Sequence, residues 1–238
     1  MIRLNWIGPD EDFPPATQSL TEPNGLVAAT VSLSPSQVLR AYRQGIFPWY
    51  SDGQPVLWWS PDPRMVLMTD GLKISRSFAK TLRQKGRDSS WRVTTDTAFK
   101  LVISACANLR RSRQGTWITD ELAQTYLALH DQGHAHSIEI WNGDTLVGGL
   151  YGLCIGRMFY GESMFSVVPE ASKIALTALV DYLVQNNCRV IDCQQDTEHL
   201  TSMGGQTMPR SEFLAALDRY CVADGFNWQV GPLPFPER

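Results

Sequence analysis

The chain has 238 residues, 43% hydrophobic and 19% charged, with five cysteines at 106, 154, 188, 193 and 221 and a formal charge of −3. This length suits one large or two small domains that bury a core without staples. No apolar run reaches the roughly 18 residues of a membrane span, Met1 to Trp6 lacks a signal-peptide core, and odd, scattered cysteines fit reduced thiols, so a soluble cytoplasmic protein is expected.

The small net charge hides an asymmetry. Gly71 to Arg92 holds seven Lys/Arg against one acid, Asp88, and Arg110, Arg111 and Arg113 follow; the remaining residues carry 11 bases and 23 acids, about −12. A basic module on an acidic body suggests a polyanionic partner. Residues 1–30, with Pro9, Pro14, Pro15 and Pro23-Asn24-Gly25, read as an irregular arm. A helix is expected from about Pro35 to Gln44: Ser34 is its cap, Pro35 takes the first position, Gln37 completes a capping box and Gly45 stops it. Next, Ile46 to Tyr50 and Val56 to Arg64 crowd aromatics with prolines, which suits rigid flat surfaces for stacking.

Ser75 caps a second helix to about Lys85, placing Arg76, Lys80 and Arg83 at i, i+4 and i+7 as a basic stripe fit to follow phosphates. Further helices are expected over Phe99 to Cys106 and from Thr119 or Asp120 to Gly133. From His134 the period becomes two. Ala135–Trp141 and Thr145–Cys154 form a hairpin across Asn142-Gly143-Asp144, and a turn centred on Gly156 leads into Arg157–Ser166. Unbroken alternation would put Met158, Tyr160, Glu162, Met164 and Ser166 on one face, and a three-residue turn would put Leu150 opposite Glu162. A carboxylate so placed needs a partner or a cavity. A helix over Glu170–Asn186 and a strand over Arg189–Gln194 follow, with Asp192 and Gln194 on one face; a last helix, Ser211–Tyr220, is expected to pack over the sheet. The succession of three antiparallel strands, a helix and a strand indicates an α+β fold with a mixed sheet.

Several chemistries lack their residues. No phosphate-binding loop or dinucleotide fingerprint occurs. Gly161-Glu162-Ser163 opens like a nucleophile elbow, but Phe165 stands where its second glycine belongs. Neither His134 and His136 nor Cys188 and Cys193 make a zinc grouping.

Together, Gly45-Ile46-Phe47-Pro48-Trp49, Trp58-Trp59-Ser60-Pro61-Asp62-Pro63-Arg64, Gly115-Thr116-Trp117-Ile118-Thr119, Gly133 to Glu139, Phe159 to Phe165 and Ile191-Asp192-Cys193-Gln194 resemble the leucyl/phenylalanyl-tRNA–protein transferases over nearly the whole chain. The resemblance implies a small N-terminal domain, residues 1–63, joined to an acetyltransferase-like (GNAT) domain, residues 64–238. It implies transfer of Leu, Phe or Met from aminoacyl-tRNA to the N-terminal Arg or Lys of a protein, marking it for degradation, with no cofactor, metal or membrane. It places catalytic positions on Asp192, Gln194 and Glu162, an aminoacyl pocket on Leu150, Met164 and Leu176, adenosine-binding positions on Trp49, Trp117, Tyr42 and Tyr126, and tRNA contacts on Arg76, Lys80 and Arg83. Two departures stand out: Leu150 where the best-known members have Met, and Ala29 to Ser34 where a Gly-Gly-Asp is usual before the Leu-Ser. Asp192 is expected to orient Gln194 and the incoming amine, whose N–H the Gln194 amide oxygen accepts, while Glu162 holds the cationic acceptor or the ribose. Amide oxygen is a poor base, so the proton's destination stays open.

A competing acyl-CoA N-acetyltransferase would need a [QR]-x-x-G-x-[GA] pyrophosphate loop, and the sequence has none. If the basic stripe follows phosphates, Arg76→Ala and Lys80→Ala will each weaken all aminoacyl-tRNAs alike and lower the salt dependence of binding by roughly one counterion. Filter binding across a salt series checks this; unequal losses among tRNAs sharing an acceptor stem would contradict it.

Overall fold

The computed structural model describes residues 4–111 and 118–237. A small N-terminal sheet is built from β1 (Leu26–Thr30), β2 (Phe47–Pro48) and β3 (Val56–Trp59), in the order β1-β3-β2, with α1 (Pro35–Arg43) between the first two. Ser34 Oγ caps α1 by accepting the Gln37 N–H at 3.3 Å, while the Gln37 amide reaches the Gly8 carbonyl (3.5 Å) instead of closing the capping box. Residues 1–30 are therefore not all irregular. All five residues of Leu-Val-Ala-Ala-Thr in β1 are buried, so the strand shows no alternation by which to recognise it. Ala29 and Thr30, in the departing segment, pair with Leu57 and Val56.

The remaining strands are β4 (Arg64–Met68), β5 (Trp91–Thr95), β6 (Ala135–Asn142), β7 (Thr145–Ile155), β8 (Met158–Ser166), β9 (Val190–Gln194), β10 (Gln206–Met208) and β11 (Gly231–Leu233). They form one mixed sheet in the order β10-β4-β9-β8-β7-β6-β5-β11, in which β8 and β9 run parallel. The helices are α2 (Arg76–Gly86), α3 (Phe99–Arg111), α4 (Asp120–Asp131), α5 (Ala171–Gln185), α6 (Glu198–Ser202) and α7 (Arg210–Tyr220). The expected α+β class, with a small N-terminal domain before a mixed sheet, is the one observed, and β6-β7-β8-α5-β9 is the expected strand–strand–strand–helix–strand run. Ser75 and Thr119 cap α2 and α4 through the N–H groups of Phe78 and Leu122, and α3 extends past Cys106 to Arg111. Among the described residues, no helix is long and apolar enough to cross a membrane.

Two apolar layers sandwich the sheet. On one face Ile174, Leu179 and Leu183 of α5 pack with Phe78 and Leu82 of α2 against Ile138, Leu150 and Phe159. On the other, Val102 and Ile103 of α3, Leu122 and Tyr126 of α4, and Phe213 and Leu217 of α7 meet Tyr151, Leu153 and Tyr160.

The β7–β8 register departs from expectation. Ile155 pairs with Met158, making the turn two residues long, and Leu150 lies opposite Met164, not Glu162. The register shifts where Tyr151↔Ser163 gives way to Gly152↔Gly161, leaving Glu162 as the extra residue of a bulge. A bulge interrupts the two-residue period. Met158 and Tyr160 therefore join the α3/α4 layer, whereas Met164 packs with the α5 layer, and the single face expected for Met158 to Ser166 does not exist.

The bulge requires a glycine opposite. A Cβ on Gly152 would stand 2.1 Å from the Tyr160 carbonyl oxygen and 2.6 Å from the Phe159 ring. Gly152→Ala is expected to destabilise the fold by about 3 kcal/mol, through displacement of backbone. Gly143→Ala, at φ +56° in the open β6–β7 turn, should cost only about 1 kcal/mol. Urea midpoints for the two variants check the ranking.

Candidate functional site

β8 and β9 share three paired positions, Met158↔Val190, Phe159↔Ile191 and Tyr160↔Asp192, and then part. Both strands break their period at that level. Glu162 is the bulged residue of β8, and in β9 the register with β4 shifts between Val66↔Asp192 and Met65↔Gln194, leaving Cys193 as the extra residue. The divergence opens a cavity of about 430 Å³. At its polar end the Gln194 side-chain amide faces Glu162, Nε2 to Oε1 3.5 Å.

Glu162 Oε1 accepts a 2.6 Å hydrogen bond from the Tyr42 hydroxyl, which lies 2.9 Å from the Tyr126 hydroxyl. Burial pushes the Glu162 carboxyl up to about 7; the tyrosine hydroxyls pull the other way, and the charge of Asp192 adds a smaller upward push. Burial, reinforced by Glu162, also holds both phenols well above their ordinary value, so they remain donors. Tyr42 and Tyr126 are fully buried. Their hydroxyls are directed at the polar end of the cavity, Tyr42 bonding the carboxylate and Tyr126 backing Tyr42.

Asp192 is also fully buried, and both its oxygens are engaged. Arg64 Nε donates to Oδ1 at 2.8 Å and Nη2 to Oδ2 at 2.7 Å. Oδ1 further accepts the backbone N–H of Gln194 at 3.0 Å, a side-chain-to-backbone bond of the kind that ends strands. Gln194 adopts φ +57°, in the left-handed region. The remaining Arg64 amine, Nη1, donates to the Gly45 carbonyl (3.1 Å), and the guanidinium lies between the rings of Phe47 and Phe213, 4.7 and 4.5 Å from their centroids. Asp192 thus touches Gln194 through the backbone N–H of that residue.

The rest of the cavity is mostly apolar. Leu150, Met164 and Leu176 line it with Phe159, Leu179 and Ile191, the first two as cross-strand neighbours because of the bulge. Trp49 stands at the wall, 40% exposed and edge-on to Trp59 at 5.8 Å. Trp117 lies outside the described residues. Arg76, Lys80 and Arg83 are exposed on α2, apart from the cavity-lining residues and on the side of the helix away from buried Phe78 and Leu82.

Sequence reasoning missed Arg64. Its signal was a single guanidinium opening the otherwise apolar run Arg-Met-Val-Leu-Met, complementary to a single carboxylate in Val-Ile-Asp-Cys. Two charges in otherwise apolar strands call for each other.

A sequence profile described as leucyl/phenylalanyl-tRNA protein transferase matches residues 66–218, and one for the N-terminal domain of the same transferases matches residues 32–62. Proteins named leucyl/phenylalanyl-tRNA–protein transferase are 50% identical in Bordetella avium, over 98% of this chain and 95% of that one, and 50% identical in Burkholderia multivorans, over 94% and 90%. That of Cupriavidus pinatubonensis is 55% identical over 89% of this chain and 86% of its own. Profiles that match most of the chain, and relatives of this identity along nearly its full length, place it in one family: the chain is a member of the leucyl/phenylalanyl-tRNA–protein transferases.

Proposed function

We propose that the cavity is where Leu or Phe, carried as the ester of its tRNA, is joined to the N-terminal amine of a protein that begins with Arg or Lys, with Met as a third donor, in the cytoplasm and in service of protein degradation. The observation that carries this reading is the juxtaposition of Glu162 and Gln194 at the polar end of an apolar cavity. The domain division is kept between Pro63 and Arg64, where the chain leaves the three-stranded sheet for the larger one.

An aminoacyl ester is already activated, so bond formation needs an amine brought to it and one proton removed. The ester carbon gains the new C–N bond and, as the tetrahedral intermediate collapses, loses the tRNA ribose oxygen. The Gln194 amide oxygen accepts an N–H of the attacking amine and orients it. Glu162 takes the proton and returns it to the departing ribose oxygen, which leaves as a hydroxyl; its carboxyl at about 7 is matched to an α-amine with an ordinary pKa of about 7.7–8.0. Asp192 acts through Gln194, as a positioning residue. Leu150, Met164 and Leu176 receive the transferred side chain. Trp49 and Trp117, with Tyr42 and Tyr126 beside them, are assigned to the terminal adenosine, and the exposed cations Arg76, Lys80 and Arg83 to the acceptor stem.

The direct assay is transfer of labelled Leu from Leu-tRNA to peptides that begin Arg, Lys or Gly. Transfer to the first two alone is the expected result; labelling from acetyl-CoA instead would overturn the reading.

Glu162 makes a signed pH prediction. Its carboxyl lies above its ordinary value of 4.5 in the folded state, so between there and about 7 the folded chain binds more protons than the unfolded one. The stability it contributes is full on the acid side of that window and is lost as pH rises through about 7; Glu162→Gln should remove this slope in denaturation series. As proton acceptor it also predicts that single-turnover transfer rises with pH through about 7 and that Glu162→Gln slows it about 10²-fold, leaving only the limb set by the amine itself.

Pocket shape is worth about 1–3 kcal/mol of selectivity. Met164→Ala, which deepens the cavity beside Leu150, should therefore shift the Phe-to-Leu ratio of kcat/KM toward Phe by about tenfold. Competition between Phe-tRNA and Leu-tRNA in one reaction reads it.

A further inference from the structure

We infer that Arg64 is a positioning residue of the transfer reaction: by fixing the orientation of Asp192 it pins Gln194 in its left-handed backbone conformation and thereby sets the approach of the Gln194 amide to Glu162. The inference rests on the function proposed above.

Four links make the chain. Asp192 has no exposed surface, so whatever it does for the reaction passes through a neighbour. That neighbour is Gln194, whose backbone N–H reaches Asp192 Oδ1 at 3.0 Å, the oxygen that also accepts Arg64 Nε at 2.8 Å. For a glutamine, φ +57° is sparsely populated, and such a conformation persists only where the surroundings over-determine it. The backbone so held presents the side chain whose Nε2 lies 3.5 Å from Glu162 Oε1. Rotating the Asp192 carboxylate would release the Gln194 N–H, and the Arg64 fork resists that rotation with two parallel bonds.

Arg64 is itself immobilised from three directions. The Gly45 carbonyl, at the end of α1, takes Nη1; Phe47 of the small sheet and Phe213 of α7 cover the two faces of its guanidinium. Phe47 also lines the cavity, so the clamp on Arg64 and the cleft share a wall. A lysine could supply charge at this position but not the planar fork, nor its fit between two rings.

The test must separate positioning from plain support of the fold. Single-turnover transfer from Leu-tRNA to an Arg-initiated peptide is measured for the parent, Arg64→Lys, Gln194→Ala and the double variant, with tRNA binding and circular dichroism alongside. In folded Arg64→Lys, tRNA affinity and peptide KM should stay within about threefold of the parent while kcat falls at least about 30-fold. In the Gln194→Ala background the same substitution should change kcat by less than about threefold, because the side chain through which Arg64 acts is gone. Folded Arg64→Lys with parental kcat, or a loss that multiplies in full with that of Gln194→Ala, overturns the inference. Where Arg64→Lys does not fold, Phe213→Leu, which uncovers one guanidinium face, takes its place and is judged by the same two outcomes. A parent that transfers nothing from Leu-tRNA overturns the proposed function and this inference with it; an active parent with an unimpaired variant overturns this inference alone.

Discussion

The buried pair of Arg64 and Asp192 is the contact on which the arrangement of the site depends. Two charges withdrawn from water are costly, and their mutual attraction offsets that cost only when the geometry is good and the other polar atoms find partners. Here they do: the fork is bidentate, the third amine has a backbone carbonyl, and the shared carboxylate oxygen has a backbone N–H. Losing one member of such a pair typically costs about 3–5 kcal/mol, since the other is left buried and uncompensated. The pair joins β4 to β9, and through Gly45, Phe47 and Phe213 it ties the N-terminal sheet and α7 to the strand that carries Gln194. Segments far apart in sequence meet at one guanidinium.

Against this stands a second carboxylate, 30 residues earlier in the chain, with the opposite surroundings. Glu162 is held by phenols, not by a cation: Tyr42 bonds it directly and Tyr126 backs Tyr42. Neutral donors offset only part of the desolvation, which is why its carboxyl sits near neutrality. Two carboxylates at neighbouring strand ends thus divide the work. One is locked to a guanidinium and fixes backbone; the other is left able to exchange a proton at the cavity.

Much of this fold was legible because its determinants are local. Ser34, Ser75 and Thr119 each accept the N–H three residues on, and the helices they cap begin where the cap demands. The turns at Asn142-Gly143-Asp144 and Gly156 mark the hairpins from Ala135 onward plainly enough to give the run β6-β7-β8. β1 and β4 escaped notice because they are buried along nearly their whole length, so that alternation vanishes. The site was legible in composition but not in geometry. Leu150, Met164, Leu176, Glu162 and Gln194 do line one cavity. The register that brings the first two together depends on a bulge, and a bulge has no residue signature strong enough to read beforehand. Tyr42 and Tyr126 could be ranked as aromatic residues near the site, but whether a tyrosine offers its ring or its hydroxyl is decided by packing. For Asp192 the missing part was its partner: Arg64 lies 128 residues away, beyond the reach of any local pattern.

The paired bulges at Glu162 and Cys193 have a consequence for how such a site is inherited. Each inserts one residue past the last shared pair of β8 and β9, so the opening is written in the residue count of two strands as much as in the identity of their side chains. Substitution can retune what lines the cleft while the cleft itself survives. Deleting a single residue in either strand would restore an even alternation, turn the following side chains to the opposite layer and close the gap, although core composition would hardly change. Among descendants of one ancestor, then, the lengths of these two segments should drift far less than the residues within them.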